Sequence, residues 1–371
     1  MEIDCLNNGQ HWSRSQQVND SAWVLEHAAE ISSPVLWWSN GLGNPNMTEF
    51  NCKIFFNDVV IHDKIHKTGL RELHLKTKDS LGSKSFHFEL NGAPIFSKGA
   101  NYIPLNYFPV DSDRDDYVNF LMACRNANIN MIRVWGGGYY EDDAFYDLCD
   151  EYGIMVWHDF MFACSMYPGE KSFVANVRAE AIEQVKRLRN HPCMALWCGN
   201  NEVSEGWQRW GWKDGLSAAS QDSLDVAYTK IFLDVLPDIV SNYSTISYHP
   251  SSPLFGRGDT LSQSEGDMHD WGVWHDELPL EELSQRIPRF MSEYGVQSFP
   301  SAEVLQMMSK LPLSESDSIA MNHQRHPRGF RLMRYYAKRW YPNVSDMDFL
   351  KYGYITQAVQ AEGVINAINR H

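Results

Sequence analysis

The sequence predicts an α/β fold, a (β/α)8 barrel preceded by a smaller all-β domain. From about residue 93 onward, short apolar runs alternate with segments of helical periodicity, as parallel strands joined by crossover helices do. Two of those runs end on a glutamate, at Glu202 and at Glu293. Barrels of this class carry their reactive residues at the C-terminal ends of strands, so both glutamates are candidates for chemistry.

Composition sets the size class and excludes some partners. The chain has 371 residues, which allows two or three domains, and 43% of them are hydrophobic. No segment of about eighteen consecutive apolar residues occurs, so we expect no membrane span. The net charge of −15 argues against nucleic acids and anionic membranes as partners. The seven cysteines show no CxxC spacing, which predicts neither a disulfide framework nor a zinc site.

Residues 1–92 are predicted to form a small β-sandwich domain. Runs of β-prone residues lie at 53–56 and 59–61, and residues 71–76 alternate between apolar and polar side chains. Asn91-Gly92 separates two further short apolar runs, and this dipeptide is the strongest short-range signal for a two-residue hairpin. The sandwich is therefore expected to end in a hairpin that leads into the second domain.

Residues 93–371 are predicted to form the barrel domain. We expect seven strands, at 98–102, 130–135, 154–160, 193–198, 245–248, 265–271 and 288–295. Helical spacing of apolar residues predicts helices near 112–124, 145–152, 174–188, 225–240, 302–310 and 356–369. Ser112, with Asp115 three residues on, is the expected cap of the first helix, and Gly153 is the expected end of the second.

The two strand-end glutamates suit a pair of catalytic carboxylates. At the usual size of a βα unit they lie about three strands apart on one rim of the barrel. Glycoside hydrolysis uses such pairs, and the retaining mechanism requires the two carboxyl groups about 5–5.5 Å apart. An isolated glutamate at a strand end is more often a helix cap or half of an ion pair, so the spacing alone leaves both interpretations open.

Further candidates surround the two glutamates. The thirteen tryptophans suit a sugar site, because flat rings stack on the apolar faces of pyranoses. The candidate substrate-binding residues are Trp135, Asp159, Trp197, Asn201, Trp210, His269 and Trp271. Trp135 and Trp197 also fit a plain core, since tryptophan is usually largely buried. Asp159 ends a strand and fits either contact with sugar or the orientation of a neighbouring side chain.

Several of these segments together resemble the β-mannosidases of glycoside hydrolase family two. The resemblance lies in five motifs in order, at residues 98–104, 133–138, 157–162, 197–202 and 292–295. The Arg-Val-Trp-Gly-Gly-Gly run at 133–138 separates the chain from the family's galactosidases and glucuronidases, which carry an Arg-x-Ser-His-type sequence there. Residues 36–41 resemble a strand of the family's immunoglobulin-like domain, which identifies the predicted sandwich as that domain.

The resemblance implies a retaining exo-β-mannosidase that removes terminal β-D-mannose from the non-reducing ends of oligosaccharides. It implies that Glu202 is the general acid/base and Glu293 the nucleophile, with no metal and no organic cofactor. Asn201 is then placed to donate to the sugar 2-hydroxyl, where hydrogen bonds strengthen in the transition state. Lysosomal, periplasmic and extracellular locations all fit such an enzyme.

The chain departs from the family pattern in two places. The family's N-terminal sugar-binding-like sandwich has no counterpart here, and the eighth barrel strand, of the form Trp-Gln-Leu-Asn-Asp, is not found before His371. We therefore expect an internal fragment whose barrel lacks its last strand. Two alternatives stay open at this point: another glycosidase of the same family, of β-galactosidase or β-glucuronidase type, or a non-catalytic sugar-binding fragment.

Overall fold

The structure is a computed structural model that describes residues 1–15, 28–79, 81–308, 314–315, 318–344 and 347–370. It divides into two compact units, Met1–Ser252 and Pro253–His371. Helices and parallel strands dominate the chain from residue 99 onward, so the predicted α/β class is confirmed.

The first unit begins with two antiparallel sheets. Their seven strands are β1 Glu2–Cys5, β2 His11–Ser13, β3 Thr48–Phe56, β4 Val59–Thr68, β5 Leu73–Lys78, β6 Lys84–Leu90 and β7 Ala93–Ile95. One sheet has the order β2-β1-β3-β4 and the other β5-β6-β7. The predicted hairpin is present: Asn91 and Gly92 have φ of 51° and 79°, and Leu90 pairs with Ala93 across the turn.

The three-stranded sheet packs against the parallel sheet that follows it. Along β6, burial alternates, with Phe86, Phe88 and Leu90 inside. The ring of Phe86 lies 6.2 Å from that of Trp157 and 5.2 Å from that of His249, both on strands of the parallel sheet. The apolar face of this small sheet thus packs against the parallel sheet that carries the candidate site.

Five parallel strands form the centre of the first unit. They are β8 Gly99–Tyr102, β9 Met131–Val134, β10 Met155–Asp159, β11 Met194–Cys198 and β12 Ser247–His249, paired in this order. Strands β9, β10 and β11 are buried at every position, which is why their sequences are apolar runs without alternation. All five lie where the sequence predicts them. The change from antiparallel to parallel pairing falls between β7 and β8, close to the predicted domain boundary at residue 92, which stays a prediction.

The first unit's helices are α1 Arg114–Asn126, α2 Asp143–Tyr152, α3 Lys171–Leu188, α4 Val203–Arg209, α5 Ala218–Tyr228 and α6 Leu236–Tyr243, with a π-helical turn at Thr229–Val235. Helix α2 ends at Gly153 in the left-handed conformation, φ 72°, as predicted. The predicted cap of α1 is wrong by one residue. Asp113 caps it, with Asp116 completing a reciprocal capping box, so the same acidic cluster offers the bonds one position later.

The second unit holds two parallel strands, β13 Met268–Asp270 and β14 Met291–Tyr294, which pair with each other. Its helices are α7 Gly272–His275, α8 Ala302–Met308, α9 Ser318–His323, α10 Gly329–Trp340 and α11 Phe349–Ile368. Both strands and the helices α8 and α11 agree with the sequence prediction, although 309–310 of the predicted 302–310 helix lie outside the described residues. Among the described residues, no helix combines the length and apolarity that crossing a membrane requires.

His158 is a buried, uncharged histidine near the C-terminal end of β10. Its Nδ1 lies 2.7 Å from the carbonyl oxygen of Asp159, and its Nε2 lies 2.8 Å from the hydroxyl of Tyr146. A carbonyl only accepts, so Nδ1 carries the proton and Nε2 accepts from the tyrosine. Burial lowers the pKa of His158 from its ordinary value of 6.5 to about 4.

This shift predicts a pH-dependent contribution to the stability of the first unit. Between about pH 6.5 and 4 the unfolded chain binds a proton at His158 that the folded chain does not, so stability falls as pH falls through this window. In urea unfolding, the difference in stability between wild type and His158→Gln should therefore shrink by about 3 kcal/mol between pH 7 and 4. The carboxylates titrate alike in both proteins, so their contributions cancel in the difference in stability. A difference that is constant with pH would contradict this account.

Candidate active site

Glu202 follows β11 at the C-terminal end of the five-stranded sheet. Its backbone is left-handed, with φ 58° and ψ 12°, and its position is the N-cap of α4. Its N–H donates to the carbonyl of Ser252 over 2.8 Å, and its own carbonyl accepts from the N–H of Gly206 over 2.8 Å. The carboxylate makes no capping bond to the helix, so the side chain is directed elsewhere. The structural interpretation of Glu202 as a helix-capping side chain is thereby excluded.

Asn201, the preceding residue, is held from both sides by neighbouring chain segments. Its N–H donates to the carbonyl of Phe162 over 2.9 Å, and its carbonyl accepts from the N–H of Cys164 over 2.9 Å. Single parallel bridges join it to Ala163 and to Ser252. Parallel pairing thus resumes at Asn201, three residues after the end of β11, and this fixes the position at which the chain turns into Glu202.

A buried ion pair lies beneath these residues. Arg133, on β9, donates to the two carboxylate oxygens of Asp159 over 3.2 and 2.8 Å, and to the Asn201 side-chain oxygen over 2.7 Å. The arginine side chain is 5% exposed and the aspartate 0%. A guanidinium has a planar fork of donors, so it fixes both partners in orientation. With its oxygen bound to Arg133, Asn201 must direct its amide N–H groups away from the ion pair.

Two roles are predicted for Asp159, namely contact with sugar or orientation of a neighbouring side chain. Besides Arg133, it accepts from the indole of Trp157 over 3.0 Å and from the N–H of Gly136 over 3.1 Å. Because its oxygens are occupied by these donors and the side chain is buried, the structure favours the role of orienting a neighbour over direct contact with sugar. Arg133 itself was not among the predicted site residues. The available signal was a charged residue within an apolar strand, where an arginine is buried only when it is paired.

Breaking this pair should destabilise the first unit strongly. Asp159→Asn leaves the guanidinium of Arg133 buried without its counter-charge, and we expect a loss of about 3 kcal/mol or more in urea unfolding. Asp238→Asn is the matched control, because Asp238 pairs with Arg178 over 3.2 Å but both side chains are largely exposed. Breaking that exposed pair should lower the free energy of unfolding by less than about 1 kcal/mol. Equal losses in the two variants would contradict the assigned importance of the buried pair.

The three candidate tryptophans of the first unit lie in different environments. Trp197 is 0% exposed and stacks on Phe160 with ring centroids 4.9 Å apart, so its placement favours a core ring over a substrate contact. Trp135 is half-buried, and its ring covers Gly137 so closely that no Cβ fits there. Trp210 is 45% exposed at the end of α4, edge-to-face with Trp212. Trp135 and Trp210 are thus the two of the three that retain surface for a sugar.

The second unit brings together the other predicted residues. His269 and Glu293 are paired across β13 and β14, and both are buried, with residue exposures of 4% and 8%. The indole N–H of Trp271 donates to Oε2 of Glu293 over 3.1 Å, and Nδ1 of His269 lies 3.4 Å from the same oxygen. An indole N–H only donates, so this contact suits an ionised carboxylate.

Neighbouring contacts hold this group in place. The hydroxyl of Ser292 donates over 2.6 Å to the carboxylate of Asp267, a residue with 0% exposure just before β13. Asp270 accepts from the N–H of Gly272 over 2.9 Å, which fixes the turn carrying Trp271. The strand ends that present His269 and Glu293 are therefore tied by side chains as well as by the ladder.

Comparison with known proteins places this geometry in context. No family model matches the chain. Beta-mannosidase B of Aspergillus clavatus is 34% identical over 366 residues, which is 96% of this chain and 43% of that protein. This chain is a homologue of the β-mannosidases. Beta-mannosidase B of Thermothelomyces thermophilus is 36% identical over 297 residues, 77% of this chain and 34% of that protein. The chain thus spans less than half the length of these curated relatives.

Solved structures agree with this homology. The crystal structure of β-D-mannosidase from Dictyoglomus thermophilum superposes with a TM-score of 0.80 at 34% identity, covering 92% of this chain and 41% of that one. An exo-chitosanase from Amycolatopsis orientalis superposes with a TM-score of 0.65, covering 92% of this chain and 39% of that one, but its 16% identity shows a common fold alone. The resemblance to β-mannosidases stated from the motifs is confirmed.

Proposed function

We propose that this chain carries the catalytic machinery of a retaining exo-β-mannosidase, which hydrolyses terminal non-reducing β-D-mannose residues of oligosaccharides. The observation that carries the proposal is the homology to named β-mannosidases along 96% of the chain, which includes both strand-end glutamates. The proposed substrate is a β-mannoside oligosaccharide, with neither nucleic acid nor membrane as a partner. No metal or organic cofactor enters the proposed reaction.

The proposed mechanism has two steps. In the first, the carboxylate of Glu293 attacks the anomeric carbon while the carboxyl group of Glu202 protonates the leaving oxygen, giving a mannosyl–enzyme ester and a free aglycone. In the second, Glu202 accepts a proton from water, and that water displaces Glu293 from the sugar. Two inversions retain the β configuration. Asn201, oriented by Arg133, is proposed to donate to the 2-hydroxyl.

The surroundings of each glutamate support its proposed role. The Trp271 indole and the His269 ring lie around one oxygen of Glu293, which suits a nucleophile that must be ionised before it attacks. The main-chain bonds of Asn201 and Glu202 to neighbouring segments suit an acid that must keep a fixed position through two proton transfers.

The proposal extends to the finer architecture. We propose that β8 to β14 are seven strands of an eight-stranded barrel, and that the antiparallel strands before them belong to an immunoglobulin-like sandwich. Parallel pairing within each compact unit and the order of the strands along the chain support this assignment. Trp135, Trp210, His269 and Trp271 are proposed as sugar contacts. Trp197 and Asp159 are proposed to act from behind them, as a packed ring and as the partner of Arg133.

Hydrolysis of a panel of nitrophenyl glycosides tests the proposed function. We expect the β-mannoside to be turned over with the highest kcat/KM, and the β-galactoside and β-glucuronide to be poor substrates. Faster turnover of either of those two would replace the proposal with another glycosidase activity. Mannose binding in calorimetry without turnover of any glycoside would identify a non-catalytic sugar-binding protein.

A further inference from the structure

The Cys164 thiol lies between the side chains of Asn201 and Glu202. The amide nitrogen of Asn201 is 3.4 Å from the sulfur, and the sulfur is 3.6 Å from Oε2 of Glu202. Both distances are within the range of hydrogen bonds to sulfur. A thiol is a weak acceptor and a weak donor at once, so it can accept from the amide while donating to the carboxylate.

Arg133 sets the direction of this series of contacts. Its guanidinium binds the side-chain oxygen of Asn201 over 2.7 Å, which leaves the amide nitrogen on the side of Cys164. The contacts therefore run from a buried, fixed cation through one amide and one thiol to the proposed acid/base. In this series, Arg133 determines which end of the Asn201 amide donates, and the amide in turn leaves the thiol proton of Cys164 to donate to Glu202.

Cys164 and Glu202, the two partners of the thiol–carboxylate contact, both have a left-handed backbone conformation. Cys164 has φ 46° and Glu202 has φ 58°, and neither is a glycine. For a residue other than glycine, this left-handed conformation costs about 1–3 kcal/mol, and it persists only where the surrounding structure fixes it. Here the N–H of Cys164 donates to the carbonyl of Asn201 over 2.9 Å, so the strained turn is what brings the sulfur to the carboxylate.

We propose that Cys164 is a positioning residue for Glu202, which holds the carboxyl group by donating its S–H to the ionised form. This inference rests on the proposed function of Glu202. A donor to a carboxylate favours the ionised form, so the thiol would ease the return of Glu202 to its base form for the second step. The proposal concerns orientation and proton affinity of Glu202 and assigns no bond-forming step to the sulfur.

One test is independent of catalysis. Cys164 is the exposed cysteine of the described residues; Cys52 is partly buried, and the others are buried. Iodoacetamide should alkylate it first: the thiolate displaces iodide, and the thiol proton passes to buffer. An ionised carboxylate beside the sulfur disfavours the thiolate. Glu202→Gln should therefore raise the alkylation rate of Cys164 on the order of fivefold at pH 8. The rate is measured by mass spectrometry of the alkylated protein.

The matched control is Glu170→Gln. Glu170 is an exposed glutamate of the same unit whose side chain makes no capping bond, so its removal should leave the rate unchanged. Equal rates in wild type and Glu202→Gln would overturn the proposal, because the sulfur and the carboxylate would then not be in contact. The alkylation rate can be measured whether or not the protein hydrolyses mannosides, so a failure of this inference can be distinguished from a failure of the proposed function.

The second test uses the pH profile of kcat/KM for a β-mannoside with a poor leaving group. Cys164→Ala removes the donor, so the alkaline limb should move to higher pH and the rate at neutral pH should change by about three- to tenfold. Cys164→Ser keeps a donor and acceptor at the same place and should return the limb toward wild type. If alanine and serine lower the rate alike without moving the limb, Cys164 only fills space and the proposal is wrong.

Discussion

Replacing Glu293 with alanine is expected to lower kcat for β-mannosides on the order of 10⁴-fold, which corresponds to roughly 5 kcal/mol of transition-state stabilisation. The reason is that no other group of the proposed mechanism can form the covalent intermediate. The fold should be retained, because Glu293 lies near the C-terminal end of the short strand β14 and its carboxylate is held there by the Trp271 indole and the His269 ring. The variant should therefore unfold at a urea concentration close to that of wild type.

The chemistry of rescue distinguishes this loss from a structural one. Azide added to Glu293→Ala should enter the space of the missing carboxylate and attack an activated aryl β-mannoside directly, giving α-mannosyl azide by a single inversion. Glu303→Gln, an exposed change on α8 of the same unit, is the control and should keep wild-type kcat. Full activity in Glu293→Ala, or rescue that gives the β-azide, would exclude Glu293 as the nucleophile.

Replacing Glu202 with alanine should affect substrates unequally. Loss of a general acid costs about 10²–10⁴-fold where the leaving group needs a proton, so alkyl mannosides and disaccharides should be nearly inert. A dinitrophenyl mannoside leaves without protonation and should still form the mannosyl–enzyme. Its breakdown should then be slow, because no base activates water, and a burst of nitrophenol should precede the slow phase.

Azide should also rescue the Glu202→Ala variant, but with the opposite product. It attacks the mannosyl–enzyme from the β face and gives β-mannosyl azide, because it acts after Glu293 has already inverted the centre. The α and β azides thus assign the two glutamates independently of how far each rate falls. Equal losses for good and poor leaving groups, with no azide product, would count against Glu202 as the acid/base.

The sequence predicts the repeating elements well for a physical reason. Strands β9, β10 and β11 are buried on both faces, so each is a short apolar run that needs no knowledge of its neighbours to be located. The Asn91-Gly92 turn is local as well, since it depends on two residues that accept positive φ. The two glutamates could be located from the same apolar runs, because Glu202 lies four residues after the end of β11 and Glu293 lies within β14.

The contacts around the glutamates could not be predicted in the same way. Arg133 binds Asp159 and Asn201, which are 26 and 68 positions away along the chain, so the network exists only once the strands are paired. Cys164 reaches Glu202 across 38 positions through a strained turn that no local signal indicates. Trp197 shows the converse. Its place beside the motif suggests a substrate contact, but a residue inside a strand buried on both faces packs in the core.

The most direct measurement of the central claim is the identity of the residue that becomes covalently bound to the sugar. A 2-deoxy-2-fluoro-β-mannosyl fluoride should inactivate the protein, because the fluorine slows both steps while the fluoride leaving group allows the first. Peptide mapping by mass spectrometry should then place one mannosyl group on Glu293, and Glu293→Ala should remain unlabelled. A label on any other residue would contradict the assignment of the nucleophile and the mechanism that depends on it.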